Sequence, residues 1–146
     1  MIALIQRVSS ASVHIDDALI GSIDAGILLL LGVQKTDNKD IAQRLAERVA
    51  KYRIFEDEAG KMNHSLIDIR GGLLVVPQFT LAADTHKGLR PSFTSAAPPE
   101  QGEQLYQFFV KRAKLLLEHV ETGSFGADMR VSLVNEGPAT FSLTVQ

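Results

Sequence analysis

Hydrophobic positions change period along this chain, and each change marks an element. Ile2, Leu4, Ile5 and Val8 predict a first strand over residues 2–9. Val13 and Ile15, alternating with Ser12 and His14, predict a second over 11–16, followed by a meander through Leu19, Ile20 and Ile23. Ile27 to Leu31 is an unbroken apolar run. A half-exposed strand alternates, so this one is expected to be covered on both faces. Ile41, Leu45, Val49 and Tyr52 then recur at helical spacing. They form one stripe of an amphipathic helix ending near Arg53, with Thr36 and Asp37 as candidate N-caps.

Glu56 to Lys61 reads as a charged turn, and Leu73 to Leu81 as a central strand. Pro77 removes a ladder donor from that run, which places it where the strand ends, bulges or lies unpaired. Residues 82–97 dissolve into a long loop, a length that points to function. Pro98-Pro99-Glu100 opens a second helix, with Leu105, Phe109, Ala113, Leu116 and Val120 as its stripe. At the C-terminus Met129, Val131 and Leu133 alternate, as do Phe141, Leu143 and Val145. These predict two strands of a hairpin whose tight connection is Asn135-Glu136-Gly137-Pro138. The connection has two readings. One is a bare turn. The other is a rigid projection of backbone into a neighbouring site, because glycine permits close approach and X-Pro is the bond at which cis is common.

The order of elements predicts one α+β domain over residues 1–146, a largely antiparallel or mixed sheet with two main helices on one side. At 146 residues and 45% hydrophobic, the chain is long enough for a core without staples. It has no cysteine, so disulfides and thiolate metal sites are excluded and a reducing compartment is expected. A net charge of −2 argues against a general nucleic-acid coat protein, though not against gripping one small part of a nucleic acid. No apolar run approaches membrane-spanning length and no charged leader precedes Ile2, so a soluble cytoplasmic protein is expected.

Familiar hydrolytic signatures are absent: no G-x-S-x-G, no H-E-x-x-H, no phosphate-binding glycine loop. His14, His64, His86 and His119 stand singly, without metal-ligand spacing. Asp84 and His86 near Thr80 can be drawn as a nucleophile-and-base set, but Thr80 reads equally as a strand-end hydroxyl bonded to backbone. Two features remain: Gln78-Phe79-Thr80 at the exit of a buried strand, and the Asn135-to-Pro138 connection.

Pro77-Gln78-Phe79-Thr80-Leu81-Ala82-Ala83-Asp84, Gly88-Leu89-Arg90-Pro91-Ser92-Phe93 and Asn135-Glu136-Gly137-Pro138-Ala139-Thr140 together resemble the D-aminoacyl-tRNA deacylase family. Ile5-Gln6-Arg7-Val8 and Tyr52-Arg53-Ile54-Phe55 extend the resemblance over essentially the whole chain. It implies a homodimeric, cofactor-free editing hydrolase that frees D-amino acids, and glycine, from the 3′ end of tRNA. The implied partners are aminoacylated tRNA and a second copy, with no membrane and no DNA.

Carried over residue by residue, the resemblance makes Gln78, Phe79 and Thr80 the catalytic wall. Gly137-Pro138, cis in the family, becomes the chirality filter supplied by the opposite subunit. Arg7 supports the Gly-Pro loop and Met129 lines the pocket. Lys87 and Arg90, by their charge, are candidate contacts for tRNA phosphates. The family motif usually opens with serine where this chain has Pro77. That departure is tolerable if backbone groups and the tRNA 2′-hydroxyl perform the chemistry. An inactive binding module, or a hydrolase with Thr80 as nucleophile, are the rival readings.

Overall fold

The computed structural model describes all residues, Met1–Gln146. The predicted strands at 2–9 and 11–16 are one strand, β1 (Ile2–Ile15). Its inward side chains change face along its length: Met1, Ala3 and Ile5 enter one core, and Val8, Ala11 and Val13 enter another. Val8 faces away from Ile5 by plain alternation, and the shift between Val8 and Ser10, where two steps along β1 meet one along β8, turns the alternation over so that Ala11 and Val13 join Val8. The exposed Ser9 and Ser10 look like a break in sequence, but the ladder continues past them.

β1 is the organising strand. Along one edge it pairs first with β3 (Gly26–Gly32) and then with β2 (Ala18–Ile23), both antiparallel. β3 pairs in parallel with β6 (Gly72–Pro77), and β6 with β7 (Val120–Thr122), so the sheet is mixed. Along the other edge of β1 runs β8 (Arg130–Thr144), antiparallel from Ile2 opposite Thr144 to His14 opposite Arg130. The predicted C-terminal hairpin is therefore corrected. The chain does not reverse at Asn135–Pro138. A step from Gln6 to Val8 on β1 is matched by one from Thr140 to Asn135 on β8, so the intervening residues loop out of a strand that continues in the same direction.

The remaining elements are α1 (Lys39–Lys51), β4 (Phe55–Glu56) paired with β5 (Met62–His64), the single-turn α2 (Leu66–Ile69) and α3 (Pro99–Leu116). The α1 stripe buries Ile41, Leu45 and Val49 as its spacing requires. Its N-cap is Asn38, whose side chain accepts from the Ile41 N–H at 2.9 Å, and not Thr36 or Asp37. Two helices were expected; α2, capped reciprocally by Ser65 and Asp68, is a third. α3 ends at Leu116, and Val120 belongs to β7, so the helical spacing of Val120 is coincidental.

α1 and α3 pack on one face of the sheet over Ala3, Ile5, Ile27, Leu29, Leu31, Leu73 and Val75. The far half of β1 and β2 fold over the opposite face, against Leu28, Leu74 and Val76. That second cover is why β3 and β6 are buried on both faces. No helix is long and apolar enough to cross a membrane.

Candidate active site

Where β6 stops, the chain makes a cleft. Pro77 is the last residue of β6, opposite Leu31 of β3, and the next amide, Gln78 N–H, still donates to the Leu31 carbonyl at 2.8 Å. In place of a donor on its other side, Pro77 presents its ring to Gly123. A β-carbon at Gly123 would stand 3.5 Å from the Pro77 Cδ and only 2.7 Å from the Met129 sulfur. Glycine at 123 is what lets Pro77 and Met129 approach one another. Met129 is further fixed by accepting at its sulfur from the Ser124 N–H at 3.3 Å.

A single 3₁₀ turn, Phe79–Ala82, follows Gln78. Leu81 N–H donates to Gln78 O and Ala83 N–H to Thr80 O, while the Phe79 and Thr80 N–H groups reach no carbonyl of the preceding strand. First-turn amides lack intrahelical partners, so these two donors stay available. Gln78 Nε2 donates to Thr80 Oγ1 at 2.6 Å. Phe79 is 61% exposed and leans against Phe93, ring centres 5.3 Å apart. An aromatic this exposed is poorly explained by packing.

The cleft has a volume of about 750 Å³. Pro77, Gln78, the Phe79–Phe93 ring pair, Ala97 to Pro99, the Tyr106–Phe125 ring pair and Met129 all line it. Asp128 is its only charged lining residue, and no serine, threonine, histidine, lysine or arginine lines it. The lining side chains therefore offer no nucleophile-and-base pair. Burial pushes the Tyr106 hydroxyl up to about 12, and that hydroxyl donates to the Val75 carbonyl at 3.3 Å. No group of three or more histidine or acidic side chains is placed to hold a metal ion.

Thr80 is exposed and does not line the cleft, although Gln78 joins it to the wall. Asp84 and His86 pair with one another, Oδ1 to Nδ1 at 2.7 Å, on an exposed loop. Hydrogen bonds from the His86 backbone and ring hold the Asp84 carboxyl below its usual range. Antiparallel bonds between Asp84 and Ser92 pinch off the loop tip that carries Lys87 and Arg90, both exposed and outside the cleft.

Arg7, Gly137 and Pro138 form a separate group. Arg7 is 8% exposed; its Nε donates to Glu136 O at 3.0 Å and its guanidinium also donates to Ile54 O at 2.7 Å. Glu56 lies 3.9 Å from the same guanidinium. Asn135 Nδ2 donates to the carbonyls of Arg7 and Ala139, closing the loop from inside. The Gly137–Pro138 peptide is cis, and both residues are exposed and line no part of the cleft. Within one chain, then, Gln78, Phe79 and Met129 come together, and Gly137-Pro138 does not join them.

Sequence reasoning missed Tyr106, Phe125 and residues 97–99. Tyr106 falls at helical spacing on α3 as any core residue does, and Phe125 stands in a segment without periodicity.

The family profile described as D-Tyr-tRNA(Tyr) deacylase matches residues 4–144. A D-aminoacyl-tRNA deacylase of Teredinibacter turnerae is 58% identical over 98% of this chain and 99% of its own length. One from Hahella chejuensis is 57% identical over the full length of both. Among solved structures, a c-Myc DNA Unwinding Element Binding Protein superposes with TM-score 0.95 at 36% identity, over 100% of this chain and 99% of that one. A probable eukaryotic D-amino acid tRNA deacylase shares the fold at TM-score 0.85 and 15% identity, over 97% of each chain. This chain belongs to the D-Tyr-tRNA(Tyr) deacylase family and is a hydrolase that acts on D-aminoacyl-tRNA.

Proposed function

We propose that the cleft beside Gln78 and Phe79 receives the aminoacylated 3′ end of tRNA, and that a second copy of the chain completes it with Gly137-Pro138. The observation that carries this reading is the cleft lining, which supplies backbone donors and apolar walls but no nucleophile-and-base pair. Ester hydrolysis then needs an oxyanion held by amides and a water positioned by the substrate. The unpartnered Phe79 and Thr80 N–H groups take the first role, worth about 3–4 kcal/mol for a well-placed donor. The 2′-hydroxyl of the terminal adenosine, donor and acceptor together, takes the second.

Chirality follows from a rigid wall. With the substrate's α-amino group held by backbone oxygens, a D side chain points outward and an L side chain strikes Gly137-Pro138. Glycine has nothing to strike with and is hydrolysed too. Support for the second copy comes from β8, which pairs on one edge only and carries the exposed Leu133 and Val134. A C2 dimer repeats the contact and gives two sites. Lys87 and Arg90, exposed on their loop, supply positive charge for phosphates of the acceptor end.

The test is deacylation of matched D-Tyr-, L-Tyr- and Gly-tRNA, with light scattering on the same preparation. D-Tyr- and Gly-tRNA should be hydrolysed and L-Tyr-tRNA spared, by a dimer. An active monomer would overturn the shared site.

A further inference from the structure

Met1 is fully buried in the larger core, and its α-ammonium is enclosed as well. The three N–H groups of that ammonium meet three acceptors. Asp37 Oδ1 lies at 2.7 Å, the Val145 carbonyl at 2.8 Å and Gln34 Oε1 at 3.2 Å. The Asp37 side chain is 1% exposed, and its other oxygen accepts from the Gln34 N–H at 2.7 Å. This explains why Asp37 does not cap α1: its carboxylate is committed to the ammonium.

The turn that holds the ammonium also holds the cleft. Lys35 N–H donates to Ser95 O at 3.1 Å and Ala97 N–H to Val33 O at 3.0 Å. Gln101 of α3 donates through Nε2 to the carbonyls of Lys35 and Asp37, at 3.1 and 3.2 Å. Val33, Ala96 and Ala97 line the cleft.

We propose that Gln34–Asp37 is a receptor for the free α-ammonium of Met1, so that the cleft wall orders fully only when this amine carries no formyl, acetyl or peptidyl group. An acylated amine is an amide: it has no charge and a single N–H, and its carbonyl enters an enclosed space. Acceptors then go unmet and Asp37 becomes a buried, uncompensated carboxylate, which is strongly unfavourable. The reaction class on which the native state depends is hydrolytic deacylation of the amine wherever it is made blocked. Excision of Met1 is equally disfavoured, because a fully buried side chain leaves with it.

Two experiments test this. In the first, the folded protein is treated with limiting acetic anhydride near pH 7 and mapped by mass spectrometry. A free α-amine, with pKa about 7.7–8.0, normally reacts ahead of lysine at about 10.4. Here Met1 should stay unmodified while the exposed Lys87 and Lys114 are acetylated. Acetylation of Met1 ahead of those lysines would overturn the proposal.

In the second, a chain with one glycine before Met1, released by protease from a fusion, is compared with the scar-free chain. Its Tm should fall by about 10 °C, and the Lys35 and Ala97 amides should exchange faster. Asp37→Asn should lower Tm comparably, and adding the glycine to that variant should lower it little further. An extended chain that cannot refold when the scar-free chain can is the same result in its extreme form. Equal Tm for the two chains would overturn the proposal.

Discussion

The Arg7 Nε donates to the Glu136 carbonyl at 3.0 Å, tying the looped-out part of β8 to the middle of β1. A nearly buried guanidinium thus serves the backbone immediately before Gly137-Pro138, and the Ile54 carbonyl at 2.7 Å fixes its other end. A planar fork bridges two carbonyls that a lysine ammonium cannot reach together. Arg7→Ala should therefore cost about 3 kcal/mol, read by urea unfolding, because it strands two carbonyls. Arg7→Lys should recover only part of it. Both variants should also narrow the ratio of D- to L-Tyr-tRNA turnover; a full ratio in Arg7→Ala would remove the loop from chiral selection.

Gly137 separates stability from activity. A β-carbon there would meet only Asn135 Oδ1, at 3.3 Å, within its own chain. Gly137→Val should accordingly melt close to the parent yet lose about 100-fold or more in kcat/KM for D-Tyr-tRNA, the scale expected when a site is displaced by an ångström. Full turnover by a well-folded Gly137→Val would count against its placement at the substrate.

Thr80 accepts from Gln78 and does not line the cleft. Thr80→Ala should keep D-Tyr-tRNA hydrolysis within about threefold, whereas a nucleophile lost this way costs orders of magnitude. Single-turnover rates decide it. The companion measurement uses tRNA ending in 2′-deoxyadenosine: equal rates on the two substrates would eliminate the 2′-hydroxyl from the mechanism.

Tyr106 makes stability depend on pH at the alkaline end. Burial raises its hydroxyl from 10.0 to about 12, so the folded state keeps a proton that the unfolded chain releases. Stability linked to this group is fully present below about pH 10 and is lost as pH rises towards 12, roughly 3 kcal/mol over that window. Tyr106→Phe should flatten this decline in urea titrations at pH 9 to 12. An unchanged slope would mean that Tyr106 does not hold its proton in the native state.

How far the site was legible follows from which residues carry a local signal. Pro77 carries a local mark, since its missing N–H cannot serve a ladder and leaves an end, a bulge or an unpaired position there, and Gln78 and Phe79 follow it into the cleft. The rest of the lining has no such mark. Tyr106 lies on α3 with the period of a core residue, and only the packing of α3 beside β6 turns its side chain towards the cleft.

By itself the sequence determined the local periods: the buried α1 stripe and the doubly covered run Ile27–Leu31. Only the tertiary structure decided what the interruptions mean. A polar gap between two alternating runs reads the same whether the chain reverses there or loops out and carries on. At Ser9-Ser10 and again at Asn135–Pro138 it carries on, because β1 and β8 stay paired on both sides of each gap. The difference lies in the partner strand, more than a hundred residues away in the case of Arg7 and Glu136. Local alternation records which face a side chain takes; it holds no record of which strand lies beside it.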